Sequence, residues 1–278
     1  MDSFKDKVAI VTGGASGIGR ALCEELGRRG AVVIVADVNA AGAEQVASSI
    51  NSNGGSARMA YLDVTQAEDV EKLVNQIASE FGHLDYMFNN AGIAMTGEVG
   101  HMNLQHWKRI VDVNLWGVIY GTTAAYRVMS NQGFGYIVNT ASAAGLTPTV
   151  MSAAYATTKH GVVGLSTSLH AESAAYGVNV SVVCPGYVST PIYESMELIQ
   201  IERSVFDKAM EPLKKKGITP TVCARIILDG VVRNKPIIPI TSFSRICWLV
   251  YRLAPNLIIS LVRKSVKKSQ VWRSSSRD

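Results

Sequence analysis

Residues 8–22 read VAIVTGGASGIGRAL, and this stretch decides the fold of the 278-residue chain. Its first five residues are apolar or β-branched, as in a buried strand, and residues 17–22 open a helix. A glycine-rich turn, Gly13 to Gly19, joins the two. After a strand and before a helix, such a turn binds a pyrophosphate at the helix N-terminus, because side chains there would block its approach to the backbone. The stretch therefore predicts a dinucleotide site.

Short runs rich in Val, Ile and Ala alternate with helical patterns along the chain. The strands are predicted at 8–12, 32–37, 57–62, 84–89, 136–140, 178–184 and 237–240, and the helices at 17–29, 40–52, 66–81, 103–130, 152–176 and 219–233. Such alternation predicts a parallel sheet with right-handed crossovers and helices on both faces. We expect an α/β fold, with a single Rossmann-like, doubly wound sheet of about seven strands.

Two segments fall outside this alternation. Residues 185–217 lack clear periodicity, and a connection of that length is typical of a lid or binding loop. We therefore predict a dinucleotide-binding catalytic domain at 1–241, with a substrate lid at about 186–217. Residues 242–278 form a basic, amphipathic C-terminal extension.

The charge of the chain is uneven. The last 36 residues hold eight of the 27 Lys and Arg residues but one of the 22 acidic residues, which leaves 19 basic and 21 acidic residues before them. A nucleic-acid-binding body is therefore not supported. The four cysteines are far apart, in apolar surroundings and without metal-ligand spacing, so we expect reduced thiols, no metal site and a cytoplasmic protein.

Asp37 ends the second predicted strand, 18 residues after Gly19. A carboxylate at this position accepts hydrogen bonds from the adenosine ribose and repels a 2′-phosphate, so NAD is favoured over NADP. Asp37 also suits a helix N-cap or a solvated strand end. Nearby cations that would serve NADP instead are Arg20, Arg28 and Arg29.

Tyr155 and Lys159 lie four residues apart, which places their Cβ atoms about 5–6 Å from each other on one helix face. A fixed positive charge stabilises the phenolate and lowers the tyrosine pKa, so Tyr155 would become a usable proton acceptor near neutrality. By itself the pair is also typical of a solvated helix.

Several motifs occur in a consistent order. They are Thr12-Gly13 through Gly17-Ile18-Gly19, Asp63-Val64, Asn89-Asn90-Ala91-Gly92, Asn114, Ser142, Tyr155 with Lys159, and Pro185-Gly186 followed by Thr190. Over about residues 5–240 the chain resembles the short-chain dehydrogenase/reductase family, as an ordinary-length member with an added C-terminal amphipathic tail. The resemblance implies an NAD(P)-dependent oxidoreductase acting on CH–OH donors.

The resemblance also implies roles for individual residues. Tyr155 exchanges the substrate hydroxyl proton during hydride transfer at the nicotinamide C4, and Ser142 hydrogen-bonds the substrate oxygen. Lys159 lowers the Tyr155 pKa and holds the nicotinamide ribose, while Asn114 kinks its helix and holds a water linked to Lys159. The implied catalytic set is Asn114, Ser142, Tyr155 and Lys159. The implied cofactor-binding set is Gly13, Ser16, Gly17, Ile18, Gly19, Asp37, Asp63, Val64, Asn90, Ala91, Gly92, Tyr155, Lys159, Pro185, Gly186, Val188 and Thr190.

The segments expected around the substrate are apolar, and residues 187–202 contain no Arg or Lys for an acidic substrate group. We therefore predict a lipophilic secondary alcohol or ketone of steroid, retinoid or long-chain type. The predicted substrate-binding residues are Ser142, Ala144, Leu146, Met151, Tyr155, Tyr187 and Tyr193. The alternatives are an NADP-dependent carbonyl reductase of a small or polyketide-like substrate and a non-catalytic, membrane-associated dinucleotide sensor.

Residues 243–268 combine apolar residues with a basic cluster, and Pro255 interrupts them. Two short amphipathic helices fit this pattern better than a membrane span of about 20 residues. Trp248, Tyr251 and the basic cluster suit peripheral contact with anionic lipid on the cytoplasmic face of a membrane. Packing on a neighbouring subunit or over the pocket remains an alternative. The resemblance implies a homodimer or homotetramer.

Overall fold

The structure is a computed structural model that describes residues 3–268. A parallel sheet of seven strands forms its centre. Its strands are β1 (Val8–Thr12), β2 (Val32–Asp37), β3 (Ser56–Tyr61), β4 (Tyr86–Asn89), β6 (Gly135–Thr140), β7 (Val178–Cys184) and β9 (Ile237–Pro239), and β5 (Met95–Thr96) and β8 (Glu197–Leu198) form a separate pair. The order across the sheet is β3-β2-β1-β4-β6-β7-β9. The Rossmann-like, doubly wound fold predicted from the sequence is confirmed.

Helices cover both faces of this sheet. They are α1 (Gly17–Arg28), α2 (Ala40–Ser52), α3 (Ala67–Phe81), α4 (Leu104–Val111), α5 (Gly117–Gln132), α6 (Ala153–Glu172), α7 (Arg203–Lys214), α8 (Pro220–Val232), α9 (Ser242–Leu253) and α10 (Pro255–Lys268). Leu22 and Ile227 pack in the core on one face of the sheet, and Val74 and Met129 pack in the core on the other. All five residues of β1 are buried, because the sheet is covered on both sides.

The strand order reverses between β1 and β4. Helix connections leave these neighbouring strands in opposite directions, so a crevice opens at the carboxyl edge of the sheet, where folds of this kind bind their ligands. The crevice lies beside the glycine turn that follows β1.

The predicted helix at 103–130 is interrupted in the structure. One π-helical turn, Asp112–Trp116, separates α4 from α5. The interruption turns Asn114 toward the backbone of Ile93, which the Asn114 side chain hydrogen-bonds at two points. Single π turns of this kind occur often at functional sites.

The segment at 185–217 contains more regular structure than its sequence pattern indicates. Strand β8 pairs with β5, and α7 follows. Arg203 at the start of α7 donates hydrogen bonds to the carbonyl oxygens of Tyr193, Glu194 and Met196. These contacts hold the segment against its own helix and against the body of the protein.

The C-terminal segment forms two helices, as predicted. α9 begins directly after β9, and α10 begins at Pro255. Within residues 3–268, no single helix is long and apolar enough to cross a membrane. α9 together with residues 255–264 meets that length and hydropathy criterion only as a pair, bent by 117°.

Candidate active site

The glycine turn packs tightly against the end of β4. Gly13 has a φ of 66°, and an added Cβ would lie 2.8 Å from the Cα of Ala91. A Cβ on Gly19 would overlap the Gly13 carbonyl group. Both positions therefore require glycine. The first turn of α1 opens onto a cavity that Ser16, Gly17 and Ile18 line, so its free N–H groups face a space suited to an anion.

Thr12 and Asn90 join the ends of β1 and β4. The Thr12 hydroxyl accepts hydrogen bonds from the backbone N–H groups of Asn90, at 3.0 Å, and of Ala91, at 3.1 Å. The Asn90 side chain donates in return to the Thr12 carbonyl oxygen at 3.1 Å. This clamp fixes the floor of the cavity.

Asp37 lies at the end of β2 and lines the same cavity. Its carboxylate accepts hydrogen bonds from the backbone N–H groups of Ala15, at 3.0 Å, and Asn39, at 2.9 Å. It therefore holds the glycine turn in place and also presents negative charge to the cavity. Asp63 similarly accepts two hydrogen bonds from Thr65 while lining the cavity.

The three arginines considered for a 2′-phosphate pair with glutamates. Arg20 contacts Glu24 at 2.7 Å, and Arg28 and Arg29 contact Glu25 at 2.6 and 3.0 Å. None of the three lines the cavity. The negative charge of Asp37 therefore faces the cavity without these cations beside it.

One cavity of about 370 Å³ collects the predicted cofactor residues. Those that line it are Gly13, Ser16, Gly17, Ile18, Asp37, Asp63, Val64, Asn90, Ala91, Gly92, Tyr155, Lys159, Pro185, Gly186, Val188 and Thr190. Gly19 lies behind it, against Gly13 and Asn90. The glycine cradle, the helix N-terminus and the carboxylate of Asp37 fit a dinucleotide.

Asn114 and Lys159 meet behind Gly92. Asn114 is fully buried in the π turn, and its side chain accepts from the Ile93 N–H and donates to the Ile93 carbonyl oxygen, both at 2.8 Å. A Cβ on Gly92 would lie 3.2 Å from the Asn114 Oδ1 and 3.5 Å from the Lys159 Nζ. Glycine at position 92 therefore leaves room for both side chains.

Lys159 is buried, and its ammonium group donates to the Thr140 carbonyl oxygen at 2.9 Å. Burial lowers the pKa of Lys159 to about 8, because an ammonium loses its hydration there. The Nζ lies 5.6 Å from the centre of the Tyr155 ring. This geometry agrees with the prediction, made from their four-residue spacing, that Tyr155 and Lys159 lie on one helix face.

The Tyr155 pKa differs from the sequence expectation. Burial raises the pKa of the Tyr155 phenol, and the hydrogen bond with Ser142 opposes that rise only in part. The net direction is opposite to the one expected from Lys159, because desolvation of the phenol is the largest cause and the Lys159 ammonium donates to Thr140. The Tyr155 hydroxyl is therefore protonated at neutral pH.

A second cavity, of about 680 Å³, adjoins the first. Ser142 and Tyr155 lie at the junction and line both cavities. Ala144, Met151, Tyr187 and Tyr193 also line it. The Tyr187 and Tyr193 rings stack at 4.5 Å. Leu146, predicted to bind substrate, instead packs in the core with Val118, Val162 and Val182, so that prediction is not supported by its position.

Some lining residues were not foreseen from the sequence. Helix α7 supplies Phe206, Met210 and Leu213, while α9 and α10 supply Phe243, Ser244, Cys247 and Val262. For the α7 residues the sequence held a signal: apolar residues at 206, 210 and 213 recur at helical spacing, which indicates one apolar helix face. Lys216 also lines this cavity, with its Nζ 5.6 Å from the centre of the Phe243 ring.

Comparison with known proteins identifies relatives of this arrangement. The sequence profile described as short chain dehydrogenase matches residues 7–198. A borneol dehydrogenase, mitochondrial, of Lavandula x intermedia is 41% identical over 199 residues, which are 71% of this chain and 75% of that protein. A cyclohexanol dehydrogenase of Acinetobacter sp. is 36% identical over 206 residues, covering 72% of this chain and 81% of that protein.

Among solved structures, similarity extends to a short chain dehydrogenase/reductase from Burkholderia phymatum in complex with NAD. The TM-score is 0.83 at 25% sequence identity, and the match covers 92% of this chain and 96% of that one. The architecture around the first cavity is therefore shared with a protein whose structure contains NAD.

Proposed function

The chain belongs to the short-chain dehydrogenase family and is an NAD(P)-dependent oxidoreductase acting on alcohols and ketones; from that premise we propose that it transfers a hydride between NAD(H) and a lipophilic secondary alcohol or ketone. The observation that carries the proposal is the position of Tyr155, which lines both the dinucleotide cavity and the larger cavity beside it. A group at that junction can exchange a proton with a substrate that extends from the second cavity toward the first.

Tyr155 and Ser142 perform the acid–base part of the reaction. The Tyr155 hydroxyl gives a proton to the carbonyl oxygen in reduction and takes it back from the alcohol in oxidation. Ser142, which hydrogen-bonds Tyr155, also donates a hydrogen bond to the substrate oxygen. When bound in the first cavity, the nicotinamide group supplies or accepts the hydride.

Lys159 supports these steps from beneath the first cavity. One of its three N–H donors is used by Thr140, so two remain for the ribose hydroxyls of a bound cofactor. Asn114 holds the Ile93 backbone beside this ammonium group. Its proposed task is to fix the loop that carries Gly92, and with it the space in which Lys159 works.

NAD is the proposed cofactor in preference to NADP. The support is the Asp37 carboxylate in the cavity, together with the pairing of Arg20, Arg28 and Arg29 with glutamates. A 2′-phosphate would meet negative charge without a nearby positive partner. Measured KM values for NAD and NADP test this proposal, and a lower KM for NADP contradicts it.

A lipophilic substrate is supported by the second cavity. Its lining includes the apolar side chains of Met151, Met196, Phe206 and Leu213, beside several hydroxyl groups and the cation Lys216. Borneol and cyclohexanol, named for two of the relatives, are secondary alcohols. At about 680 Å³ the cavity also has room for a larger molecule, of the steroid, retinoid or long-chain type.

The proposed enzyme works in the cytoplasm as a homodimer or homotetramer, with residues 243–268 in peripheral contact with the cytoplasmic face of a membrane. Support for the location is that Cys23, Cys184, Cys223 and Cys247 are all free thiols.

Support for a second subunit comes from Trp116, at the end of the π turn. Its exposed ring, stacked on Tyr120 of α5, offers an apolar surface to another copy of the chain.

Tyr155→Phe is the decisive test. We expect the rate of NAD reduction with cyclohexanol to fall at least about 100-fold, because the proton exchange is lost. Calorimetry should show nearly unchanged NAD binding. Tyr176→Phe, which removes a hydroxyl far from both cavities, should keep wild-type turnover. Retained turnover in Tyr155→Phe would contradict the proposed role.

A further inference from the structure

One face of α9 is apolar and points away from the protein. Phe243, Ile246, Leu249 and Leu253 are spaced three, three and four residues apart, which places them on one side of the helix. They are 56%, 60%, 50% and 85% exposed. Leu257 and Leu261 of α10 are also exposed, at 52% and 53%. Continuous exposed apolar surfaces of this kind usually mark an interaction site.

The opposite face of α9 attaches the helix to the protein. Ser244 is buried, and Trp248 packs against the core that contains Val118 and Val182. Trp248, which was expected to face lipid, is only partly exposed, and its ring contacts the body of the protein and the guanidinium of Arg252, at 5.2 Å. The aliphatic residues 246, 249 and 253 occupy the outward position instead.

The net positive charge of α9 and α10 indicates which kind of surface they would bind. Residues 242–268 hold six cations and no Asp or Glu: Arg245, Arg252, Arg263, Lys264, Lys267 and Lys268. A second copy of the same face would bring these cations together and repel. An anionic lipid surface instead attracts them while it takes up the apolar side chains.

The same helices form a wall of the larger cavity. Phe243 and Cys247 of α9 and Val262 of α10 line it. Phe243 is at once part of the outward apolar face and part of the cavity lining. A molecule dissolved among lipid chains at this face would thus be separated from the cavity by one layer of side chains.

We propose that the outward face of α9, with Arg245, Arg252, Arg263 and Lys264, rests on the surface of an anionic bilayer. The lipophilic substrate then enters the large cavity from that bilayer past Phe243. The entry route rests on the proposed function for its substrate class. The contact with lipid does not depend on the proposed reaction or its substrate, because it follows from exposure and charge alone.

Cosedimentation with vesicles tests the contact. The full chain should bind vesicles of phosphatidylcholine mixed with phosphatidylglycerol, and bind much less to pure phosphatidylcholine or at high salt. The variant Ile246→Ser/Leu249→Ser/Leu253→Ser should lose about tenfold or more in partitioning. The control Leu104→Ser/Val232→Ser, which removes exposed apolar residues elsewhere, should bind as the wild type does.

Two results would overturn the contact. One is equal binding of the triple variant and the wild type to anionic vesicles. The other is sedimentation velocity showing that the triple substitution dissociates an oligomer while vesicle binding is absent in the wild type, which would assign the face to a second copy of the chain.

The entry route is tested by the source of the substrate. We compare oxidation of a long-chain secondary alcohol held in anionic vesicles with oxidation of water-soluble cyclohexanol. The triple variant should lose most of its rate with the vesicle-borne alcohol and keep its rate with cyclohexanol. Equal retention of both rates would overturn the route. If the wild type oxidises neither alcohol, the proposed function fails, while the vesicle-binding result stands independently.

Discussion

Asn114 satisfies both backbone groups of Ile93: its Oδ1 accepts from the Ile93 N–H and its Nδ2 donates to the Ile93 carbonyl oxygen, each at 2.8 Å. Ile93 is partly buried and precedes β5, and without Asn114 its N–H and carbonyl groups would lose these two partners. The π turn Asp112–Trp116 places the Asn114 side chain within hydrogen-bond distance of both Ile93 backbone groups.

Replacing Asn114 with Ala should therefore affect stability and turnover together. Loss of both hydrogen bonds should destabilise the protein by about 2–4 kcal/mol and lower kcat at least about tenfold, as the loop carrying Gly92 loosens beside Lys159. Thermal unfolding and steady-state rates measure these effects. Asn103→Ala, which removes the N-cap of α4, should cost about 1 kcal/mol and leave kcat nearly unchanged. Wild-type kcat in Asn114→Ala would contradict the positioning role.

Asp37→Asn should shift cofactor preference. The substitution keeps an oxygen acceptor for the Ala15 N–H but removes the negative charge from the cavity. We expect the KM for NAD to rise and that for NADP to fall, with the ratio of kcat/KM values changing about tenfold, equivalent to about 1.4 kcal/mol. Asp69→Asn, on the exposed first turn of α3, is the matched control. An unchanged ratio would show that Asp37 only supports the glycine turn.

The pH dependence of the two reaction directions should differ. Because burial raises the pKa of Tyr155, its hydroxyl is protonated at neutral pH and is ready to donate in ketone reduction. Oxidation needs the deprotonated form, so kcat/KM for cyclohexanol should climb with pH, while that for cyclohexanone should stay flat and fall only in alkali. Rates from about pH 6 to about pH 10 show this. The opposite pair of profiles would argue against Tyr155 as the proton carrier.

Glu25 should make stability depend on acid pH. Hydrogen bonds from Arg28 and Arg29 lower its pKa to about 2, although burial opposes this. A lowered carboxyl pKa stabilises the fold above the unfolded-state pKa of about 4.3, and this contribution disappears as the pH falls toward 2. With solvent screening around the exposed Arg28, we expect about 1–2 kcal/mol.

Urea unfolding of Glu25→Gln and the wild type measures that contribution. Their unfolding free energies should differ at pH 7 and converge near pH 2. Glu24→Gln, which breaks a solvent-exposed pair with Arg20, should differ from the wild type by less than about 0.5 kcal/mol. A Glu25 difference that persists unchanged at low pH would assign it to packing and not to charge.

The sheet and the dinucleotide cavity follow from local sequence patterns. Strands such as 8–12 and 32–37 are nearly continuous apolar runs bounded by turn residues, and burial on both faces makes such runs easy to recognise. Residues such as Asp37, Asn90 and Ser142 converge because the carboxyl ends of parallel strands share one edge. Position along the chain is enough to predict their meeting.

The parts that depend on tertiary contacts were not predictable in the same way. The π turn at Asn114 forms because one side chain finds the Ile93 backbone, 21 residues away in the chain. The Tyr155 pKa depends on burial, which spacing on a helix does not reveal. Leu146 is buried in the core and Trp248 packs against it, whereas composition indicated only that they belong near substrate or lipid.

The two cavities are lined largely by different parts of the chain. The glycine turn and the ends of β2 and β3 that line the first cavity lie within positions 13–64, whereas the described residues that line the second cavity begin at Ala94 and end at Val262. Substitutions between positions 94 and 262 can therefore reshape the second cavity while residues 13–64 stay unchanged. The range of molecules that the enzyme accepts can change in this way without any change at the glycine turn or at Asp37.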